Sequence, residues 1–251
     1  MNSDRLFKRA ESLKLYGLLS HWDEVSREKW PEQLLRWEEQ ERSNRSLQRR
    51  LDNAKLDKFK MMSDFDWDWP RKCDRTVIEE WISLKNITQP TNLILYGSNG
   101  AGKTMMAKNI AYEAILKGHT ALFVTAGEML SDIAKQESDS AMSRRIKHYA
   151  RPHLLVIDEV GYLSYSNRHA DLLFEIVTRR YESKPTIVTT NIKFEEWPKM
   201  FPNAACVVTL IDRLIHHSDI VAIDADSYRQ KEAAEKCERR KQETRKNKVK
   251  S

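Results

Sequence analysis

At 251 residues the chain can hold one large core, or a core with a small appendage, and its three scattered cysteines (Cys73, Cys206, Cys237) exclude a disulfide framework and suit a reducing cytosol. No apolar run approaches the roughly eighteen residues of a membrane span, and the charged start "MNSDRLFKRAESLKLYG" is no secretory leader, so a cytoplasmic protein without a membrane partner is expected. The net charge of +6 belongs wholly to residues 229–251, because the first 228 residues balance at 33 basic against 33 acidic.

Residues 1–62 read as a charged helical domain. "LFKRAESLKLYGLLSHW" sets Leu6, Ala10, Leu13 and Gly17 on one stripe of a short surface helix. A second helix starts near Trp30, with Pro31 in its first turn, where a missing amide proton costs little. Trp30, Leu34 and Trp37 share a face, as do Leu47, Leu51 and Ala54, while Glu41 and Asn44 interrupt the stripe. That helix therefore either breaks or bridges solvent. Arg42, Arg45 and Arg49 recur at intervals of three and four, which lines up three guanidinium groups. The linker "FKMMSDFDWDWPRKCD" (59–74) carries four aromatics that need a surface to pack on, most simply the rim of the next domain.

Residues 63–228 read as an α/β core. Apolar runs "NLILYG", "TALFVTA", "HLLVIDEVGYL", "TIVTTN" and "IVAID" alternate with helical segments, as in a mostly parallel sheet covered on both faces. Thr125 and Glu128 have the spacing of a capping box, and Gly118 suits a helix end. Residues 229–251 form a basic tail of ten Lys or Arg and four Glu. It is either a solvated helix or a contact for an acidic partner such as nucleic acid.

The first strand leads into Gly97-Ser98-Asn99-Gly100-Ala101-Gly102-Lys103-Thr104, a complete G-x-x-x-x-G-K-T loop followed by a helix. Glycines there let backbone amides turn inward around a phosphate. Lys103 can reach the terminal phosphates of a nucleotide, and Thr104 can hold Mg2+. The third strand ends in Asp158 and Glu159. Asp158 would hold the ion, and Glu159 would activate an attacking water. Asn191 ends another strand, where its amide can bond that water or the γ-phosphate, with Thr189 and Thr190 as further polar contacts. Arg213 and the pair Arg179-Arg180 are candidates for an arginine given to a neighbouring site. His216 and His217 are adjacent, so a helix would point them apart, and no metal site is expected there.

"YGSNGAGKT", "RPHLLVIDEVGYL", "ADLLFEIVTRRYE", "TIVTTN" and "LIDRLIHHSDIVAIDADSYRQK", in this order and spacing, resemble the IstB family. "LKLYGL", "LLRWEEQERSNRSLQRRLDNAKL" and "SDFDW" extend the likeness to about residues 6–232. The family comprises helper ATPases encoded beside the transposase of IS21-type insertion sequences, within the AAA+ class and related to the bacterial helicase loader and replication initiator. The resemblance implies a five-stranded parallel sheet in the order 5-1-4-3-2, a small helical domain before it, and little or no C-terminal lid. It implies ATP and Mg2+ as cofactors, and as partners duplex DNA of little sequence preference, further copies of the chain, and the transposase. It makes Asn191 a sensor of the γ-phosphate and Arg213 the arginine supplied in trans, and suggests Arg229 for a second sensor. Basic side chains meeting the DNA backbone are then Arg42, Arg45, Arg49, Arg50 and Lys55. A helicase loader acting in replication is the alternative, since the same ATPase can dock a helicase instead.

Overall fold

The computed structural model describes residues 3–161, 166–201, 205–233 and 235–237, and the chain divides into two compact units, 1–52 and 53–251. In the first unit, α1 (Ser3–Ser12) stops where Lys14 takes a left-handed backbone with φ 54°, and α2 (Tyr16–Ser20) and α3 (Trp22–Val25) follow as short turns. One continuous helix is expected from the apolar spacing. The left-handed residue breaks it, and Leu13 and Trp22 then close a small core with Leu6, Ala10 and Leu35. Arg9 grips both oxygens of Glu39 at 2.8 Å and holds that carboxyl below its usual range. Helix α4 (Trp30–Ala54) runs unbroken through Glu41 and Asn44. Pairs one turn apart, Arg42 on Glu38, Arg45 on Glu41 and Gln40 on Asn44, carry it across the polar stretch at about 0.2–0.5 kcal/mol each. It ends at Lys55, where φ is 56°.

The second unit holds α5 (Arg75–Ile82), β1 (Asn92–Gly97), α6 (Lys103–Leu116), β2 (Ala121–Thr125), α7 (Ala126–Ala134), α8 (Asp139–Ala150) and β3 (Leu154–Val160). They are followed by α9 (Asn167–Arg180), β4 (Thr186–Thr190), α10 (Trp197–Met200), α11 (Val207–Ile215) and β5 (Ser218–Ile223). All strand pairs are parallel, in the order β2-β3-β4-β1-β5, which is the expected 5-1-4-3-2 arrangement. Side chains alternate across the sheet. Ile94, Leu122, Val124, Leu155, Ile157 and Val188 meet the apolar sides of α7, α8, α9 and α11 in one core, while α6 packs on the other face with α5 beside it.

Thr125 and Glu128 do form a reciprocal capping box at α7. Helix α8 has no counterpart in the sequence reading, because Arg144, Arg145, Lys147 and His148 interrupt its apolar spacing. Ser138 caps it, and Ile146 and Tyr149 seat it. No helix among the described residues is long and apolar enough to cross a membrane. Beyond β5 the described chain carries only a short helical stretch from residue 228, and no large lid.

Candidate nucleotide site

Strand β1 lies between β4 and β5 and is buried along most of its length, so its end is a fixed point in the fold. The loop 97–104 springs from that point. Gly100 and Gly102 have φ of 82° and 99°, a region that costs an ordinary residue strain and glycine nothing. The glycines are also crowded from outside. A methyl group on Gly102 would lie 2.6 Å from Phe65 Cε2, one on Gly97 would strike the Ile223 carbonyl, and one on Gly100 would strike Ser227. Ser98 and Asn99 form the exposed tip, and Ala101 is buried. Helix α6 then begins at Lys103, which turns its first amides toward the loop, a natural seat for an anion.

Lys103 is itself buried, and its Nζ donates to the carbonyls of Gly97 at 2.7 Å and Ser98 at 2.8 Å. Burial pushes its pKa down. Asp158 opposes that shift, Arg229 adds to it, and Glu159 opposes it again. An anionic ligand would relieve the cost of keeping this ammonium charged.

Strand β3 delivers the acids. Its register against β4 slips between Ile157 and Val160, so the chain bulges at Asp158 and Glu159. Glu159 takes a left-handed backbone, φ 61°, which is uncommon for a residue with a side chain and is held here by its surroundings. Thr189 does the holding. Its Oγ1 accepts the Glu159 N–H at 2.9 Å and donates to Asp158 Oδ1 at 2.5 Å. The Thr104 hydroxyl lies 3.1 and 3.0 Å from the two Asp158 oxygens. Adjacent oxygens around Mg2+ at 2.0–2.1 Å stand about 2.9 Å apart in an octahedron. Thr104 and Asp158 therefore present a pair of oxygens at the spacing this ion takes. The sequence reading left Thr189 as a secondary contact. In the structure it is the hydroxyl that links the acids.

Burial raises Asp158 above the usual carboxylate range, against the hydroxyls of Thr189 and Thr104 and the charges of Lys103 and Lys108. Burial and then Asp158 raise Glu159. The sign follows directly. A folded-state pKa above the unfolded one means that stability falls as pH rises through that window, so at neutral pH the ionised Asp158 destabilises the fold. Asp158→Asn keeps the acceptor for Thr104 and Thr189 and is expected to raise the melting temperature at pH 7, by about 2–4 °C for each kcal/mol relieved. A lower melting temperature, read by differential scanning calorimetry, would mean that the carboxylate's partners outweigh its burial.

The loop, Lys103, Thr104, Glu159 and Thr189 border a cavity of about 210 Å³, whose other wall comes from two stretches that the motif does not include. The linker supplies Lys60, Phe65 and Trp69, and the chain after β5 supplies Tyr228, Arg229 and Glu232. These stretches are laced together. Trp69 Nε1 donates to Asp226 O at 2.9 Å, Arg71 bonds both Asp224 and Asp226, and Lys231 sits 4.3 Å over the Trp69 ring. Tyr228 N–H donates to Gly100 O at 3.1 Å, and Ser98 Oγ to Ala225 O at 2.5 Å, so the same stretch grips the loop. The linker aromatics do find the domain rim, and that rim is the site. Their clustering in "SDFDWDW" was the available signal.

Other candidates fall elsewhere. Asn191 follows β4, and its Oδ1 is buried without a hydrogen-bond partner among the described residues. Arg213 on α11 does not border the cavity. It bonds Thr178 Oγ1, and its guanidinium lies over the rings of Phe174 at 4.8 Å and Tyr181 at 5.7 Å. Arg180 is 1% exposed and donates to the carbonyls of Ala150, Pro152, His153 and Pro185 and to Thr186 Oγ1, so it anchors the turn into β4 and is not available to a neighbour. Arg179 pairs with Glu175 on its own helix. Arg42, Arg45 and Arg49 are exposed along α4. Arg50 bonds Ser46, and Lys55 is exposed just past the helix end.

A parallel sheet in this order, with a phosphate-type loop after its central strand and an acid pair on β3, defines a P-loop core of the AAA+ type. The family model described as IstB-like ATP binding protein matches residues 5–236, and the chain belongs to that family, known from IS21-type insertion sequences. The insertion sequence IS5376 ATP-binding protein of Geobacillus stearothermophilus is 33% identical over 199 residues, 79% of each chain. The insertion sequence IS21 ATP-binding protein of Pseudomonas aeruginosa is 32% identical over 191 residues, 76% of this chain and 72% of its own. Among solved structures, DnaI superposes with a TM-score of 0.54 at 19% identity, over 68% of this chain and 90% of that one, a likeness of fold.

Proposed function

We propose that this protein is the ATP-hydrolysing helper of an IS21-type transposase, assembling with copies of itself on duplex DNA and directing the transposase there. The linked hydroxyls and acids carry the reading. Thr104, Asp158 and Thr189 form one hydrogen-bonded chain, and Glu159 hangs from its end at the cavity edge. In this reading the amides of residues 98–104 and the Lys103 ammonium hold the terminal phosphates of ATP. Thr104 and Asp158 hold Mg2+, which when bound draws charge from the phosphate oxygens. Glu159 takes a proton from the attacking water, and Asn191, whose buried Oδ1 has no hydrogen-bond partner among the described residues, serves as the sensor of the γ-phosphate. Arg213 serves the site of an adjacent subunit. Family membership favours this role over that of a helicase loader.

The direct test is Lys103→Ala, which removes the cation and leaves the cradle. ATP binding, measured by filter retention, is expected to fall below detection, and DNA-stimulated phosphate release with it. Wild-type ATP affinity in Lys103→Ala would remove the loop from the account.

DNA contact in this reading comes from Arg42, Arg45, Arg49, Arg50 and Lys55, touching phosphates and giving affinity without sequence choice. Arg42 and Arg45 would exchange Glu38 and Glu41 for DNA, which weakens their net gain. Most of the basic tail, residues 238–251, lies outside the described residues. It holds seven Lys or Arg and two Glu. If the tail lies on DNA, deletion of residues 229–251, with their ten Lys or Arg and four Glu, is expected to remove about two to four units from the slope of log affinity against log salt, at about 0.9 per phosphate contact. An unchanged slope on one duplex means that the tail stays in solvent.

A further inference from the structure

Away from the cavity, the turn after α9 meets the turn between α11 and β5. Glu182, in a left-handed conformation with φ 53°, faces His216 and His217 there. The helix α11 ends at Ile215, so the two histidines lie in a turn and do not diverge as they would along a helix. Their ring centroids are 3.9 Å apart. One ligand atom from each of the three residues falls within 4.8 Å of the others, and all three residues are exposed. We propose that Glu182, His216 and His217 bind one transition-metal dication, with Zn2+ the best match to two imidazoles and a carboxylate.

The chemistry supports this donor set. Two imidazoles and one carboxylate leave a fourth position for water, as in open zinc sites, and the absence of thiolate and of an oxygen-rich shell disfavours copper(I), Ca2+ and Mg2+. Ligands at 2.0–2.1 Å in a tetrahedron stand about 3.3 Å apart. His217 Nε2 and Glu182 Oε1 are already 3.6 Å apart, so this edge needs a shift of only a few tenths of an ångström. The Tyr181 hydroxyl lies 2.5 Å from His216 Nδ1, which leaves Nε2 for the ion and supplies the outer partner that a metal-binding imidazole takes. An ion here would join two turns that the chain reaches 30-odd residues apart. It would also fix the Tyr181 ring, against which Arg213 rests at 5.7 Å.

The proposal does not need the ATPase reading, and its test avoids nucleotide. The full chain is titrated with Co2+ as a spectroscopic probe, in an Asp158→Asn background that weakens the other candidate ion site by removing its carboxylate charge. One equivalent is expected to give visible d–d bands with no thiolate charge-transfer band. His217→Ala and Glu182→Gln are each expected to weaken binding by more than about tenfold. Their side chains are exposed, so melting temperatures without metal should match the parent, while Zn2+ raises only that of the parent by mass action. No cobalt signal, a thiolate band implicating the cysteines, or undiminished binding in both variants would each overturn the assignment.

Discussion

Glu159→Gln is expected to slow ATP turnover by about 10²–10⁴-fold while ATP binding is kept, the range for removing a positioned general base. The amide has the size of the acid and can still accept a hydrogen bond, but it cannot take up a proton. Asp158 is untouched by the change, and so is its contact with Thr104, which leaves the ion-binding oxygens in place. The Glu159 N–H to Thr189 bond comes from the backbone, so the bulge also survives. Binding and catalysis should therefore separate, and the protein should stay assembled on DNA in ATP. Steady-state phosphate release beside ATP retention measures both. Turnover within tenfold of the parent would move the base elsewhere.

For Arg213→Ala the expected loss of turnover is about 10³–10⁵-fold, the range for an arginine that stabilises charge on the transferred phosphoryl group. Because the guanidinium does not border its own cavity, ATP binding by an isolated subunit should persist. Mixing gives a sharper result. An Arg213→Ala subunit keeps its Glu159, and a Glu159→Gln subunit keeps its Arg213, so each mixed boundary of the right order has one complete site. Two inactive proteins should then regain turnover together. Normal turnover by Arg213→Ala alone, or no recovery in the mixture while both bind ATP, removes the trans role. The pH dependence points the same way as the buried acids. Burial holds Asp158 and Glu159 protonated to higher pH than usual, so turnover should fall on acidification at a pH above the ordinary carboxylate range.

The sheet was readable because its signals are local. Five apolar runs, each too short for a buried helix and each followed by a helical pattern, leave few arrangements other than a parallel sheet. The loop and the acid pair were readable because each lies within one strand-to-helix or strand-to-turn passage. What escaped depends on pairs distant in sequence. Thr189 becomes part of the site only through the alignment of β4 with β3, and Phe65 and Tyr228 only because Arg71 and Trp69 tie the linker to residues 224–226. Arg180 looked like one of a basic pair and proved to be a buried anchor. All but one of its partners are backbone carbonyls, which no residue pattern displays. The closeness of the His216 and His217 rings escaped for a local reason, since the stop of α11 at Ile215 is not marked by glycine or proline.

The crowding at Gly97, Gly100 and Gly102 bears on how substitutions in this chain should be interpreted. These positions exclude side chains because Ile223, Ser227 and Phe65 stand against them, before any nucleotide arrives. In a library sorted for expression and solubility alone, replacements at the three glycines should already be depleted. Replacements at Lys103 and Glu159, whose charged forms are disfavoured by burial, should pass. Tolerance at the lysine and acid together with intolerance at the glycines would thus mark a scaffold requirement, and only a second selection for transposition would reveal the functional one.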